Sequence, residues 1–518
     1  MQKVLLVGVA GASALQLGAS PMTSSRAAVR MPAVHMQAEE TIDAPVAADA
    51  SMDMDATKVA PGERFKAISL NALDEWAERF PRLKPELRDI RLSSLIFPFK
   101  ASPYLVEELI DWDREDDIKN DPFYRLVFPT MKMLSPEHRK LLEETEALKD
   151  PFKLKDVVDE IREDLNPHPA GQKELNANKK GMEDLTGVQH KYSETVLFFP
   201  AAAQTCHAYC TYCFRWAQFI GDSDLRFAQK DAGSLFDYLA DHEEVSDILF
   251  TGGDPMFMKT RNFKEYLEPF KDPTFLPHIK NLRIGTRALT FWPQRFTTDD
   301  DATELMTLLR EVKEIGGRHM AIMAHLGHVR ELQTDKVREA IARLRQEAGV
   351  IIRSQSPIMR GINDDAEVWA NKWREEVRLG IIPYYMFMAR DTGAQSFFSV
   401  GLAEGQALYA DAIRSTSGLC RTARGPSMSC TPGKVEVVGV QEIFGQPAFV
   451  LRFLQCRDEA WIGKVFFAKF DKKAVWYDDL EPLDGMSLPW GEVGLPQPCI
   501  DEPCQVEWME NAVAQDGM

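Results

Sequence analysis

TVLFFPAAAQTCHAYCTYC, residues 195–213, is the stretch whose reading decides the fold. Residues 195–199 are short, apolar and β-branched or aromatic, which predicts a buried strand. Three cysteines, Cys206, Cys210 and Cys213, follow in a C-x3-C-x2-C spacing within eight residues. Soft thiolates this close suit zinc or an iron–sulfur cluster. A closed structural zinc site wants four ligands, and only His207 offers a fourth nearby. Three cysteines on a four-iron cluster would instead leave one iron open.

Downstream, five more apolar runs repeat the pattern: DILFT, NLRIGT, HMAIMAH, GVIIRSQ and IIPYYMF. Amphipathic stretches separate them, among them DATELMTLLREVKEIG and DKVREAIARLRQEAG. Buried runs alternating with such helices predict βα units and a parallel sheet. Six strands are fewer than the eight of a closed barrel. The unusual residues fall at strand ends: the cysteines, Gly252-Gly253-Asp254-Pro255, Arg287, His325 and Gln355. In parallel barrels that end carries the chemistry.

The chain divides into five expected regions. Residues 63–190 read as helical, 191–400 as the parallel βα region, and 401–518 as a closing segment with a β-rich tail (VEVVGV, AFVLRFL, KVFFAKF). Residues 39–62 form an acidic linker. Residues 1–38 contain no acid: a Lys and a short apolar run come first, then an Arg- and Ser-bearing segment. That layout, signal-like and then transit-like, predicts an organellar leader, for a plastid before a mitochondrion. With 518 residues, 45% of them hydrophobic, the chain has ample material for a core. The net charge of −18 argues against nucleic-acid binding. No run reaches the roughly 18 apolar residues of a membrane span.

The cysteine spacing, with a strand before it, resembles the radical S-adenosylmethionine superfamily, and the flanking residues resemble the lysine 2,3-aminomutase family. His190-Lys191-Tyr192 precedes the cysteine strand as in that family. Thr251-Gly252-Gly253-Asp254 resembles its S-G-G-D, and Arg283 to Arg287 resembles R-I-G-S-R. His325-Leu-Gly-His328 resembles H-F-N-H, Gln355-Ser356 sits like N-Q-S, and Gly361-Ile-Asn363-Asp364 resembles G-V-N-D. The resemblance runs from about Ile96 to Val437. It implies an α/β fold: a partial (βα)6 radical-SAM barrel with an N-terminal helical region and a β-rich C-terminal tail. It implies a [4Fe-4S] cluster on Cys206, Cys210 and Cys213, and S-adenosyl-L-methionine near Gly252, Gly253, Asp254, Arg287, His325 and Gln355. In that family the open iron takes the amino and carboxylate groups of S-adenosylmethionine, whose reductive cleavage gives a 5′-deoxyadenosyl radical. The partners it implies are a small amino-acid-like substrate, a low-potential flavodoxin- or ferredoxin-type electron donor and a homo-oligomer. Arg215 occupies the position that grips the substrate carboxylate, where a planar guanidinium suits the fork of oxygens. Asp364 and Asp391 fall at or beside the positions that hold a distal ammonium. The group that carries out the chemistry on the substrate is not identified.

The departures concern pyridoxal phosphate, which needs a lysine for attachment and cations for its phosphate. The interval Leu419 to Thr431 contains no lysine, and Lys434 matches a P-G-K-V landmark. Thr195 stands where the family has an arginine, although Lys191, Arg421 and Arg424 are cations in range. Arg390 replaces an acid, with Asp391 one place later. The expectation is an aminomutase-like radical enzyme, of isomerase class, without pyridoxal phosphate. The alternatives are a pyridoxal-phosphate-dependent amino-acid 2,3-aminomutase and a non-catalytic iron–sulfur or zinc module.

Overall fold

The computed structural model describes residues 65–166, 185–220, 227–430, 433–456 and 458–484, with Met486 and Leu488. The expected leader and linker, and Cys499 and Cys504, lie outside the described residues. Eleven strands form one sheet in chain order: β1 Val188–Tyr192, β2 Thr195–Phe198, β3 Asp247–Phe250, β4 Asn281–Thr286, β5 His319–His325, β6 Ile351–Pro357, β7 Ile382–Phe387, β8 Arg424–Ser429, β9 Gly433–Ile443, β10 Gln446–Cys456 and β11 Val465–Lys469. Pairing is parallel from β2 through β8. An antiparallel hairpin partner, β1, lies at one end. The β9–β11 meander, antiparallel to β8, lies at the other.

The six apolar runs are the strands β2 to β7, so the α/β reading and its large parallel sheet hold. The seventh parallel strand, β8, was not expected. Its sequence, RGPSMS, has neither an apolar run nor alternation, and its pairing to β7 rests on two registers only. The helical region expected over 63–190 ends early, because Val188–His190 already pair with Val196–Phe198. Helices such as Ala232–Ala240, Ala302–Glu314, Asp335–Gln346 and Ala366–Arg378 bridge successive strands. Asp231, Thr334 and Asp365 accept hydrogen bonds from backbone N–H groups of the first turn of three of them, satisfying donors the helix cannot.

Each strand has two faces, because side chains alternate. In β6, Ile352, Ser354 and Ser356 are buried beneath helices, while Arg353 and Gln355 stay half-buried on the other face. The buried face joins Ile248, Leu282, Ile284, Ile322 and Ile352 to helix residues such as Leu309 and Leu344 in one core. At roughly 1.5–3 kcal/mol per fully buried large side chain, this layer is the main support of the sheet. A second core packs Trp369 and Trp373 with Met428, Val435 and Phe449, and so fastens the late strands to the helix Ala366–Arg378. No helix among the described residues is long and apolar enough to cross a membrane.

Candidate active site

The cysteine loop leaves β2 and is fastened to the turn after β3. Gly253 N donates to Ala203 O at 3.0 Å and Asp254 N to Thr205 O at 2.9 Å. The two glycines are required by this approach. A Cβ on Gly253 would lie 2.4 Å from Thr205 O, and Gly252 has φ +141° with Gln204 Nε2 2.5 Å from where its Cβ would stand. Asp254, expected at the cofactor, directs its carboxylate to the fold. It accepts from Met256 N at 3.0 Å, Thr286 Oγ1 at 2.7 Å and Arg287 N at 2.8 Å. Burial pushes its carboxyl up to about 6, against the pull of those donors. The turn therefore ties the ends of β3 and β4 to the cysteine loop.

Within the loop, the side chains of Cys206, Cys210 and Cys213 keep some exposure. Their sulfurs are nonetheless hemmed in by protein. Burial, then the nearby Asp254, Cys213 and Cys210, pushes the Cys206 thiol well above its usual range, and Lys100 opposes the shift. Burial, then Cys210, pushes Cys213 up to about 12. Three thiols that resist ionising together become a ligand set once a metal centre supplies positive charge. Among the described residues they do not form a trio within 4.8 Å. One tetrahedral zinc, with Zn–S of about 2.3 Å, would hold its sulfurs closer than that. His207 is buried, 3.6 Å from Asp254 and without a hydrogen-bond partner on either ring nitrogen among the described residues. Burial, then Arg287 and Lys100, lowers it to about 3, so it is neutral.

Tyr212, between the second and third cysteines, is the connection that sequence reasoning missed. Its hydroxyl accepts from Arg287 Nη1 and donates to His325 Nε2 at 2.7 Å. Burial, then Arg287 and Lys372, holds His325 well below its usual range, so its ring is neutral and its Nε2 lone pair accepts. Arg287 also pairs with buried Glu331 at 3.4 Å and lies over the Phe291 ring at 4.0 Å. Glu331 in turn accepts from Gly327 N at 2.8 Å and Thr290 Oγ1 at 2.7 Å. Gln355 is the strand partner of His325 in the β5–β6 ladder. The expected cofactor residues Arg287, His325 and Gln355 are thus gathered at adjacent strand ends, with Tyr212 carrying the cysteine loop to two of them. A tyrosine between two cysteines was the available signal.

Arg215 is buried and stacks over Phe199 at 4.2 Å. It donates to Gln218, its Nε has no partner, and among the described residues no carboxylate pairs with it. Burial lowers its guanidinium to about 10, while Cys213 and Cys206 act to raise it. It is a cation beside the cysteine loop with donors to spare. The two acids differ. Asp364 is already engaged, accepting from Gly361 N at 2.9 Å and lying 3.4 Å from Arg360. Asp391 lies 3.8 Å from Arg390, which sits over Phe214 and Trp476.

Farther down the same half-buried face is a group of cations. Lys434 Nζ lies 3.8 Å from the centre of the Tyr385 ring, and Arg424 covers that ring at 4.6 Å. Burial, then Lys191, Arg424 and Arg283, depresses Lys434 well below the usual lysine range. Tyr384 lies against Tyr385, with ring centres 4.3 Å apart. Tyr385 is also the strand neighbour of Gln355, so this basic group adjoins the strand-end residues.

No protein-family model matches the chain. The chain is similar to proteins named as 2,3-aminomutases. It is 29% identical over 425 residues to a protein of Aquifex aeolicus provisionally named L-lysine 2,3-aminomutase, covering 82% of this chain and 96% of that protein. It is 27% identical to the L-lysine 2,3-aminomutase of Haemophilus influenzae, over 59% of this chain and 83% of that one. It is 26% identical to the glutamate 2,3-aminomutase of Clostridioides difficile, over 55% and 62%.

Proposed function

We propose that this relative of the lysine 2,3-aminomutases is a radical S-adenosylmethionine enzyme, of isomerase type, acting on a small amino-acid-like substrate. The observation that carries the reading is the single assembly of the cysteine loop, the Gly252-Gly253 turn and the ends of β4 and β5 through Tyr212. In this reading Cys206, Cys210 and Cys213 hold the cluster. Arg287, His325 and Gln355 line the S-adenosylmethionine seat, and Arg215 grips a carboxylate. When bound, the cluster and S-adenosylmethionine supply hydrogen-abstracting radical chemistry. The chain's own part is to orient them: Glu331 fixes Arg287, Tyr212 fixes His325 in its neutral form, and the half-buried face of β3 to β7 forms the interior of a partial barrel. The reductant is a low-potential donor of flavodoxin or ferredoxin type. Anaerobic reconstitution tests the reading. Expected are about four irons per chain and release of 5′-deoxyadenosine from S-adenosylmethionine under reductant, both lost in Cys210→Ala. Iron-loaded protein that releases no 5′-deoxyadenosine would instead favour a non-catalytic module.

The sequence reading expects no pyridoxal phosphate, but the placement of Lys434 favours the second reading, in which it is held. A desolvated amine with a depressed pKa is the kind that attaches to an aldehyde. Arg424, Lys191 and Arg283 are the charges that depress it, and they would equally seat a phosphate. The residues present fit the group: Lys434 for attachment, the three cations for its phosphate, Tyr385 as a wall. When bound, pyridoxal phosphate supplies an electron sink for amino-group migration. Incubation with pyridoxal phosphate, borohydride reduction and mass-spectrometric mapping decide between the readings. One stoichiometric label at Lys434 selects the dependent enzyme, and no label selects the independent one.

A further inference from the structure

We propose that His190, His242 and Glu244 form a second metal site, for one divalent cation of the zinc type, on the side of the sheet away from the cysteine loop. One ligand atom from each of the three lies within 4.8 Å of the others, the one such trio of histidine, cysteine or carboxylate groups among the described residues. They come from three places: His190 from the middle of β1, His242 from just beyond the helix Ala232–Ala240, and Glu244 from the segment entering β3. His190 pairs with Val196, near the start of β2, and Glu244 precedes the start of β3. The cysteines and the Gly252-Gly253 turn follow the opposite ends of those strands, so this is a different site from the proposed active one.

The hydrogen bonds fix which nitrogens can bind. His190 Nε2 lies 2.8 Å from Ser193 O, and His242 Nδ1 lies 2.8 Å from Tyr238 O. A carbonyl oxygen only accepts, so each of those nitrogens carries a proton. That leaves the lone pairs on Nδ1 of His190 and Nε2 of His242. A histidine that donates one N–H to a carbonyl while offering the other nitrogen is the arrangement found around bound metals. Tyr238 lies between the rings, stacked on His242 at 3.9 Å and edge-on to His190 at 5.8 Å. Its hydroxyl donates to His190 Nδ1. An incoming cation takes that lone pair, and the freed phenol oxygen or a water completes the fourth position. Two histidines and a glutamate with one open position is an established zinc set, while nitrogen donors disfavour calcium and magnesium. Neither ring loses a proton on binding. A cation there would pin the β1 edge to the helix and to the entry of β3.

The test uses zinc alone with the full-length chain. Wild type, His242→Ala and Glu244→Gln are titrated against a chromophoric chelator, and melting is followed with and without zinc. His242 is partly and Glu244 largely on the surface, and Glu244→Gln keeps the side chain's size, so it serves as the folded comparison. The expected result is one zinc equivalent in wild type that weakens about 10- to 100-fold in each variant, with the zinc-induced rise in melting temperature lost in parallel. Substitution by cobalt should give the weak visible bands of nitrogen and oxygen ligation, without the intense charge-transfer bands of thiolate. Zinc stoichiometry and melting rise unchanged in both variants, or thiolate bands alone, would overturn the proposal by placing all bound metal on the cysteine loop.

Discussion

Replacing Tyr212 by Phe removes one oxygen and leaves the ring in place. The hydroxyl is bonded on both sides, accepting from Arg287 and donating to His325 at 2.7 Å. Its loss leaves a charged N–H and a ring nitrogen buried without those partners. An unsatisfied buried group costs about 1–3 kcal/mol, and more when charged. Arg287 keeps its contact with Glu331 at 3.4 Å, which softens its share. Phe also escapes the cost of burying a hydroxyl. The expected net loss is about 2–4 kcal/mol, a large part of an ordinary 5–15 kcal/mol of stability. Tyr209→Phe is the matched control. Its hydroxyl has only longer contacts, 3.3 Å to Thr205 and 3.4 Å to Lys100, and its loss should cost under about 1 kcal/mol. Urea midpoints of the metal-free chains, read by fluorescence, give the comparison, and midpoints suffice if the transition is not two-state. Equal midpoints for the two variants would refute the reasoning, because Tyr212 would then not be the bridge between loop and strands.

Three further outcomes are expected. Arg215→Lys keeps the charge and loses the forked donors, so substrate turnover should fall while S-adenosylmethionine cleavage persists; a parallel fall of both would assign Arg215 to the cofactor or the fold. The raised Asp254 carboxyl, at about 6 folded against about 3.8 unfolded, means the folded state holds the extra proton, so this group's contribution to stability is fullest at low pH and falls by about 2 kcal/mol as pH rises from 4 to 6. The stability difference between wild type and Asp254→Asn should shift by that amount across the window, and a flat difference would show the shift is absent. Residues 1–38, which we propose direct import into a plastid, should carry a fluorescent reporter there; a cytosolic reporter would count against the proposal.

How far the sequence could be read follows from where its signal is local. The strands β2 to β7 announce themselves because one face of each is largely buried and the other only partly open, which calls for mostly apolar residues. Arg424–Ser429 could not be read that way, since its place in the sheet is set by pairing to β7 and to the adjacent β9 and not by an apolar run of its own. The cysteines, glycines, Arg287, His325 and Gln355 were legible as residue types at strand ends. What joins them was not, because Tyr212 reads as an ordinary aromatic until its hydroxyl is seen between β4 and β5. The surroundings of Lys434 were hidden for a related reason. Its sequence neighbours say strand entry, which β9 bears out, but they do not show that burial, with Lys191, Arg424 and Arg283 around it, depresses its amine. The acids Asp364 and Asp391 were legible as charges, but not as charges already facing Arg360 and Arg390.

The antiparallel strands at the two ends of the sheet also bear on how the chain is made. The apolar edge of β7 is covered by β8, and β9 to β11 follow to complete that side. At the far margin Ala468 bridges to Pro482, a residue with no N–H to offer a further strand, which blunts the last edge against recruitment of another chain. All of this arrives late in synthesis. A nascent or truncated chain ending before Arg424 would carry a fully formed apolar strand, IPYYMF, with its hydrogen-bonding edge open. Such an edge is a template for aggregation. The C-terminal meander therefore covers the open edge of the parallel strands, and premature stops in it should yield insoluble protein.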